Sequence, residues 1–151
     1  MESAHHGTTL RPREVYKRRI KVPNNIVNLS VPLVCIVDDD VSMARSTQYL
    51  VRSFGFRAEA FLSAEEFLES SFVEETKCLI LILDLRMPGM DGLELQRHLI
   101  STNKRIPVIF ISARVTDEER LEALAGGAVD FLRKPFNEDA LLKAIHAALD
   151  R

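Results

Sequence analysis

Four short apolar runs of this chain are each ended or closely followed by acids, a hydroxyl or an amine. The positions are Asp38, Asp39 and Asp40 after LVCIV (33–37), Asp84 after LILIL (79–83), Ser112 at the end of VIFIS (108–112), and Lys134 with Pro135 after VDFL (129–132). A carboxylate beside a buried strand is costly unless something compensates its charge. A divalent cation does so, and Mg²⁺ combines a few protein oxygens with waters and phosphate oxygens. The residue types therefore predict a Mg²⁺ site built on aspartates.

The same residues have the groups that phosphoryl transfer needs. An aspartate beside Mg²⁺ can attack phosphorus through a carboxylate oxygen and form an aspartyl phosphate. The equatorial phosphoryl oxygens then require positive charge and hydrogen-bond donors. Lys134 offers an ammonium group and Ser112 a hydroxyl. The chemistry predicted from the residue types is phosphoryl transfer to an aspartate.

Strand and helix signals alternate from Pro32 onward. Apolar and β-branched runs predict strands at 33–37, 57–61, 79–83, 108–112 and 129–132. Helices are predicted over 41–54, 64–72, from Asp91 to about 102, from Thr116 to Gly126-Gly127, and after Asn137. The predicted N-terminal signals are Asp40, Asn137, Asp91 with Glu94, and capping boxes at Ser63–Glu66 and Thr116–Glu119. The last helix is predicted to carry Leu141, Leu142, Ile145 and Leu149 on one face.

Five strands alternating with five helices predict an α/β fold, a doubly wound parallel sheet covered by helices on both faces. In such sheets, reactive groups gather beyond the carboxyl ends of the strands. We therefore expect Asp38, Asp84, Ser112 and Lys134 at one edge of the sheet.

Composition indicates one ordinary soluble domain. The chain has 151 residues, 46% of them apolar and 28% charged. It contains neither the roughly 20 consecutive apolar residues of a membrane span nor a signal-peptide core. We expect a cytoplasmic protein in which Cys35 and Cys78 are reduced core thiols.

Residues 1–30 differ from the rest in charge. They contain six Lys or Arg against two Glu, whereas residues 31–151 have an excess of six acids. This stretch predicts a basic, mostly disordered arm. A solvated tail is one interpretation, and contact with nucleic acid, a membrane surface or its own domain is the other. Tyr16 is the arm's only aromatic residue, which offers little for stacking on bases.

The chain from about 32 to 150 resembles the receiver domain of bacterial two-component response regulators of the FixJ/NarL type. The residues that carry the resemblance are VDDD (37–40), DLRMPGMDG (84–92), ISA (111–113) and DFLRKPF (130–136). The resemblance implies a flavodoxin-like (βα)5 fold with strand order 2-1-3-4-5 and a receiver domain over 31–151. It also implies a phosphoacceptor with slow self-dephosphorylation at most, and not an enzyme.

The resemblance also implies roles for single residues. Asp84 would be the phosphorylation site, and Lys134 would pair with the phosphoryl group. Ser112 and Phe131 would be the switch residues, and the bond between Lys134 and Pro135 would be cis. The Mg²⁺ ligands would be Asp38, Asp39, Asp84 and the Arg86 backbone carbonyl. Phe131 lacks the hydroxyl of the tyrosine often found there. Arg86 and Arg114 occupy positions at which the family tunes the lifetime of the phosphoryl group, in a direction that the sequence does not decide.

The function implied is acceptance of a phosphoryl group from a sensor histidine kinase, a phosphotransfer protein or a small phosphodonor. Ser112 is then expected to move inward and Phe131 to fill the space that it leaves. The face formed by helix 4, strand 5 and helix 5 (about 116–149) would change its partners, a phosphorylation-dependent homodimer among them, without a membrane and without direct nucleic-acid contact.

Two alternatives stay open. A receiver could control nucleic-acid binding by the basic arm or by a further output domain, although a free-standing receiver is slightly favoured. A haloacid-dehalogenase-type phosphatase would interpret CIVDDDVS (35–42) as a strand ending in Asp-x-Asp, with Asp38 as nucleophile and Asp40 as acid/base.

Overall fold

The computed structural model describes residues 31–74 and 79–151. Its centre is a five-stranded parallel sheet in the order β2-β1-β3-β4-β5. The strands are β1 Leu33–Val37, β2 Arg57–Phe61, β3 Leu79–Asp84, β4 Val108–Ser112 and β5 Asp130–Arg133. The helices are α1 Val41–Ser53, α2 Ala64–Glu69, α3 Gly92–Ser101, α4 Asp117–Ala125 and α5 Glu138–Leu149. The predicted fold class and strand order are confirmed.

Helices cover both faces of the sheet because its central strands are apolar on both. Every residue of β1, β3 and β4 is buried. One face packs on α1 and α5, for example through Val51 and Ile145. The other packs on α2, α3 and α4, for example through Phe67, Leu95 and Ala123. A strand buried on both sides needs continuous apolar sequence, which these strands have.

Local capping signals explain where most helices begin. Asp40 caps α1 by accepting one backbone N–H of the first turn, and Asn137 caps α5 by accepting two. Asp91 with Glu94 and Thr116 with Glu119 form complete capping boxes. The predicted box at α2 is half wrong: Ser63 accepts from the Glu66 N–H, but the Glu66 carboxylate accepts from Leu62.

Some predicted boundaries and faces were wrong. Helix α2 ends at Glu69 rather than 72, because Ser70 is extended and a short 3-10 turn follows over Ser71–Glu74. Strand β5 begins and ends one residue later than predicted. The buried face of α5 consists of Leu141, Ala144, Ile145 and Ala148. Leu149, at the end of α5, is 42% exposed, and Leu142 is half-buried at the edge of the face.

The predictions for the basic arm (1–30) and for Cys78 lie outside the described residues. Cys35 is buried within β1. Across 31–74 and 79–151, no helix has the length and apolar character needed to cross a membrane.

Candidate functional site

The register of the sheet brings two carboxylates together at its carboxyl edge. Val37 of β1 pairs with Leu83 of β3, so Asp38 and Asp84 follow neighbouring positions. Both are buried, with 5% and 6% of their surface exposed. Asp39, the next residue, is exposed. Adjacent parallel strands therefore aim two aspartates at one point, as the sequence predicted.

These three aspartates form an acidic group with the chemistry of a divalent-cation site. One carboxylate oxygen from each of Asp38, Asp39 and Asp84 lies within 4.8 Å of the other two. Carboxylate oxygens are the preferred ligands of Mg²⁺, which commonly uses only one or two with waters and phosphate. The donor set and the uncompensated negative charge described below fit Mg²⁺. The Arg86 carbonyl was predicted as a further ligand, and that role stays a prediction.

Lys134 supplies the cation that the sequence predicted at this edge. Its Nζ donates to Oδ2 of Asp38 at 3.0 Å and lies 3.5 Å from Oδ2 of Asp84. Its backbone N–H donates to the carbonyl of Ser112 at 2.9 Å, which ties the end of β5 to β4. The peptide bond between Lys134 and Pro135 is cis. One ammonium group thus bridges two carboxylates.

The electrostatics of Asp84 are unfavourable in this arrangement. Burial first, and then the nearby charge of Asp38, raise the pKa of Asp84 from 3.8 to about 6, although Lys134 and the Arg86 backbone N–H lower it. Burial lowers the pKa of Lys134, but its hydrogen bond to Asp38 and the charges of both aspartates outweigh burial and raise it. Lys134 is therefore charged at neutral pH, and one positive charge does not balance the two buried carboxylates.

Gly92 lets the loop after Asp84 fold back closely over β3. A Cβ at Gly92 would lie 2.6 Å from the carbonyl oxygen of Asp84 and 3.0 Å from Cα of Leu85. The Gly92 N–H donates to the Leu85 carbonyl at 2.9 Å. Asp91 caps α3 in this loop, as predicted. The glycine is therefore needed for close approach of two backbone segments.

Ser112 is the last residue of β4, and Phe131 lies in the neighbouring strand β5. The buried Ser112 hydroxyl donates to the carbonyl of Arg114 at 2.6 Å, in the loop that leads to α4. The Phe131 ring is 7% exposed, stacks on Phe110 with centroids 5.3 Å apart, and has the Arg120 guanidinium 5.2 Å from its centroid. The ring is thus already buried, so the expected inward movement of Phe131 does not start from an exposed ring.

Three contacts of α4 were not predicted from the sequence. Arg86 donates to both carboxylate oxygens of Glu119, Arg97 of α3 pairs with Glu122, and Arg120 lies over Phe131. In the sequence Glu119 gave only a capping signal. The pairs are separated by 11 to 33 residues and share no local period.

Asp40 gives no support to the phosphatase alternative. That alternative needs Asp40 as acid/base, but its carboxylate accepts the N–H of Met43 and caps α1. It also leaves the buried Asp84 and its contact with Lys134 without a role.

Comparisons with known proteins agree with this geometry. Residues 34–146 match the family model of the response regulator receiver domain. The chain is 45% identical to Nodulation protein W of Bradyrhizobium diazoefficiens over 119 residues, which are 79% of this chain and 52% of that protein. It is 45% identical over 117 residues to the response regulator protein TodT of Pseudomonas putida, covering 78% of this chain and 51% of that protein.

Solved structures give the same result. The response regulator StyR is 43% identical with a TM-score of 0.73, over 80% of this chain and 60% of that chain. The crystal structure of FixJ-N is 36% identical with a TM-score of 0.72, over 80% of this chain and 94% of that one.

The chain spans about half the length of the curated relatives that it matches. Within that span the family match covers the whole described sheet except its first residue, and all four edge positions that carry the predicted site. The chain belongs to the response regulator receiver domain family of two-component systems.

Proposed function

We propose that Asp84 is the phosphoacceptor of this receiver domain. The observation that carries the proposal is one cluster of charged side chains: Asp84 ends the central strand, Lys134 Nζ lies 3.5 Å from its carboxylate, and the buried Asp38 and the exposed Asp39 complete an acidic group. Response regulators receive phosphate from histidine kinases, and receiver domains generally are not enzymes. We propose a phosphohistidine of a sensor kinase or phosphotransfer protein as the donor.

The reaction uses Asp84 as an oxygen nucleophile. A carboxylate oxygen forms a bond to phosphorus, the phosphorus–nitrogen bond of the donor breaks, and its electron pair stays on the imidazole. With a pKa of about 6, the Asp84 carboxyl is ionised at neutral pH. From its position between Asp38 and Asp84, the Lys134 ammonium can pair with the phosphoryl oxygens. Hydrolysis returns the carboxylate and releases inorganic phosphate.

Receiver domains generally bind Mg²⁺ at an acidic pocket. We propose that Asp38, Asp39, Asp84 and the Arg86 carbonyl would hold it here. When bound, the ion supplies positive charge for the phosphoryl oxygens. Asp38 already accepts the Asp40 N–H on Oδ1 and the Lys134 ammonium on Oδ2, which fixes its orientation.

Output is proposed to pass through Ser112 to the face formed by α4, β5 and α5. A phosphoryl group on Asp84 offers an acceptor for the Ser112 hydroxyl, which would then leave the Arg114 carbonyl. That change would move the loop leading to α4. Leu121 and Leu124 of α4 are exposed and available to a partner. The partners proposed are a downstream protein or a second copy of this chain. The donors are made from ATP, so the proposal places the protein in the cytoplasm.

The direct test is incorporation of a phosphoryl group from an acyl phosphate or a phosphorylated kinase with Mg²⁺ present. Wild-type protein is expected to gain one phosphoryl group, and Asp84→Asn none. Asp91→Asn is the matched control, because asparagine caps a helix as well as aspartate does and Asp91 only caps α3. Continued labelling of Asp84→Asn would refute the assignment.

The relatives favour a second output, control of nucleic-acid binding. FixJ of Rhizobium meliloti, 37% identical over 76% of this chain and 55% of that protein, is named a transcriptional regulatory protein. The basic residues at 1–30 would make direct binding strongly salt-dependent. Filter-binding titrations with and without residues 1–30 test the arm. If nucleic-acid binding stays equally salt-dependent after removal of residues 1–30, the arm does not make the phosphate contacts.

A further inference from the structure

A bidentate ion pair joins the phosphoacceptor loop to α4. The two terminal nitrogens of Arg86 donate to the two carboxylate oxygens of Glu119 at 2.8 and 2.7 Å. Arg86 lies two residues after Asp84, and its backbone N–H hydrogen-bonds the Asp84 carboxylate. Glu119 lies in the first turn of α4. The pair therefore connects the phosphoacceptor site to the beginning of α4, the first element of the proposed output face.

Glu119 has a second task at the same place. Its Oε1 also accepts the backbone N–H of Thr116 at 2.9 Å, which closes the capping box of α4. The Thr116 hydrogen bond and then the Arg86 guanidinium lower the pKa of Glu119, against its slight burial. The carboxylate is thus a full negative charge at neutral pH, and it both caps α4 and offsets the charge of Arg86.

The charged side chains that line the cleft beside this pair are all arginines. Arg86 lines a surface cleft of about 430 Å³ together with Arg114, Val115, Thr116 and Arg133. Within 31–74 and 79–151, no carboxylate forms a salt bridge with the Arg114 or Arg133 guanidinium. Glu119 is the acid that engages an arginine of this cleft. In this arrangement the Arg86 guanidinium is engaged by Glu119 and points its terminal nitrogens at that carboxylate.

We propose that Glu119 is a positioning residue that holds the Arg86 guanidinium away from the phosphoryl group, and that phosphorylation of Asp84 draws Arg86 off Glu119. The proposal rests on Asp84 being the phosphoacceptor. A phosphoryl group carries more negative charge than a carboxylate and offers three acceptor oxygens, so it competes well for a guanidinium. Arg86 needs only side-chain rotation, since its backbone already contacts Asp84.

Two attachments at the beginning of α4 would then be released together. One is the Arg86–Glu119 pair, and the other is the hydrogen bond from Ser112 to the Arg114 carbonyl in the preceding loop. Because occupancy of Asp84 opposes the Arg86–Glu119 pair, loss of the pair must favour occupancy by the same factor. That reciprocity makes the proposal measurable in a binding experiment.

The experiment measures the affinity of the full chain for beryllofluoride with saturating Mg²⁺, by calorimetric titration. Beryllofluoride stands in for the phosphoryl group on the aspartate. Glu119→Gln removes the charge but keeps the capping box, which glutamine also closes. Loss of an exposed ion pair changes an equilibrium constant by roughly 1.5- to fivefold, so Glu119→Gln is expected to bind beryllofluoride more tightly than wild type by about that factor.

Glu122→Gln is the matched control. Glu122 lies one turn further along α4 and pairs with Arg97 of α3, away from Asp84. Its affinity is expected to equal that of wild type. In an Arg86→Gln background, which keeps the backbone carbonyl, Glu119→Gln is expected to have no further effect. In wild type, amide exchange in the first turn of α4 should accelerate when beryllofluoride binds. In Glu119→Gln, exchange there should already be faster than in wild type before beryllofluoride is added.

Each outcome decides the matter. Unchanged affinity in Glu119→Gln, with normal binding by wild type, would overturn the role of Glu119 and leave Asp84 as the acceptor. An effect that persists in the Arg86→Gln background would also overturn it, because the effect would not pass through Arg86. Failure of wild type to bind, or binding by Asp84→Asn, would overturn the phosphoacceptor assignment itself and with it this inference.

Discussion

Replacing Asp84 by asparagine is expected to stabilise the metal-free protein. The pKa of Asp84 is raised to about 6 by burial and by Asp38, so its ionised form is less favourable in the folded protein than in the unfolded chain. A carboxyl with a raised pKa costs stability fully above its folded pKa, and the cost disappears below its unfolded pKa near 4. Asparagine removes the charge at nearly the same volume.

The shift sets the size of the effect. A pKa raised from 3.8 to about 6 corresponds to a cost of about 3 kcal/mol at pH 8, where Asp84 is ionised in both states. The introduced amide must itself be hydrogen-bonded in a buried site, which offsets part of the gain. We expect a net gain of about 2 kcal/mol at pH 8, falling to roughly 0.6 kcal/mol at pH 5, because the cost of the amide does not change with pH. The variant is expected to keep the contact between Lys134 and Asp38, which is 3.0 Å long here and does not involve Asp84.

Urea unfolding followed by circular dichroism, with a chelator present, measures this gain. The midpoint should rise by roughly 1 M for a domain of this size. Asp39→Asn is the control: Asp39 is exposed, and its replacement should change metal-free stability by less than about 0.5 kcal/mol. Millimolar Mg²⁺ should stabilise wild type and narrow its difference from Asp84→Asn. A destabilised Asp84→Asn, or a gain that is equal at pH 5 and pH 8, would refute the reasoning.

Three further variants probe the same edge of the sheet. Lys134→Met should destabilise the metal-free protein by roughly 3 kcal/mol in urea unfolding, because two buried carboxylates lose their cation. Arg133→Met is the control, since Arg133 is exposed, and it should change stability by less than about 0.5 kcal/mol. Equal losses in the two variants would show that Lys134 does not compensate the buried carboxylates. Gly92→Ala should cost about 2 kcal/mol or more, since its Cβ would meet the Asp84 carbonyl at 2.6 Å; a melting temperature equal to wild type would contradict the close approach. Phe131→Ala should cost roughly 3–4 kcal/mol in the same assay because the ring is buried and stacked, whereas a loss under 1 kcal/mol would indicate a ring that is largely exposed in solution.

Local signals in the sequence account for most of the fold. The runs LVCIV, LILIL and VIFIS are apolar at every position but the last serine, so they could only be strands buried on both faces or buried helix segments, and their short length favours strands. Asp40, Asp91, Thr116 and Asn137 each cap a helix through contacts within three residues. Such signals act over a few residues and are visible without any tertiary contact.

The meeting of Asp38, Asp84 and Lys134 was also predictable, although they are far apart in sequence. Once the chain alternates strand and helix, parallel strands place their carboxyl ends on one edge, and whatever follows each strand must gather there. Sequence signals at the ends of elements predicted burial less well. Leu149 fits the apolar period of α5 but is its last residue, and its side chain is exposed.

The sequence alone thus determined the strands, the caps and the membership of the acidic edge. The folded structure was needed to see where the long side chains reach: Arg86 pairs with Glu119, the Ser112 hydroxyl donates to the Arg114 carbonyl, and Phe131 is already buried under Arg120. It also decided the raised pKa of Asp84. The physical reason is that rotamers, burial and charge neighbours depend on elements brought together from distant parts of the chain, which no local period records.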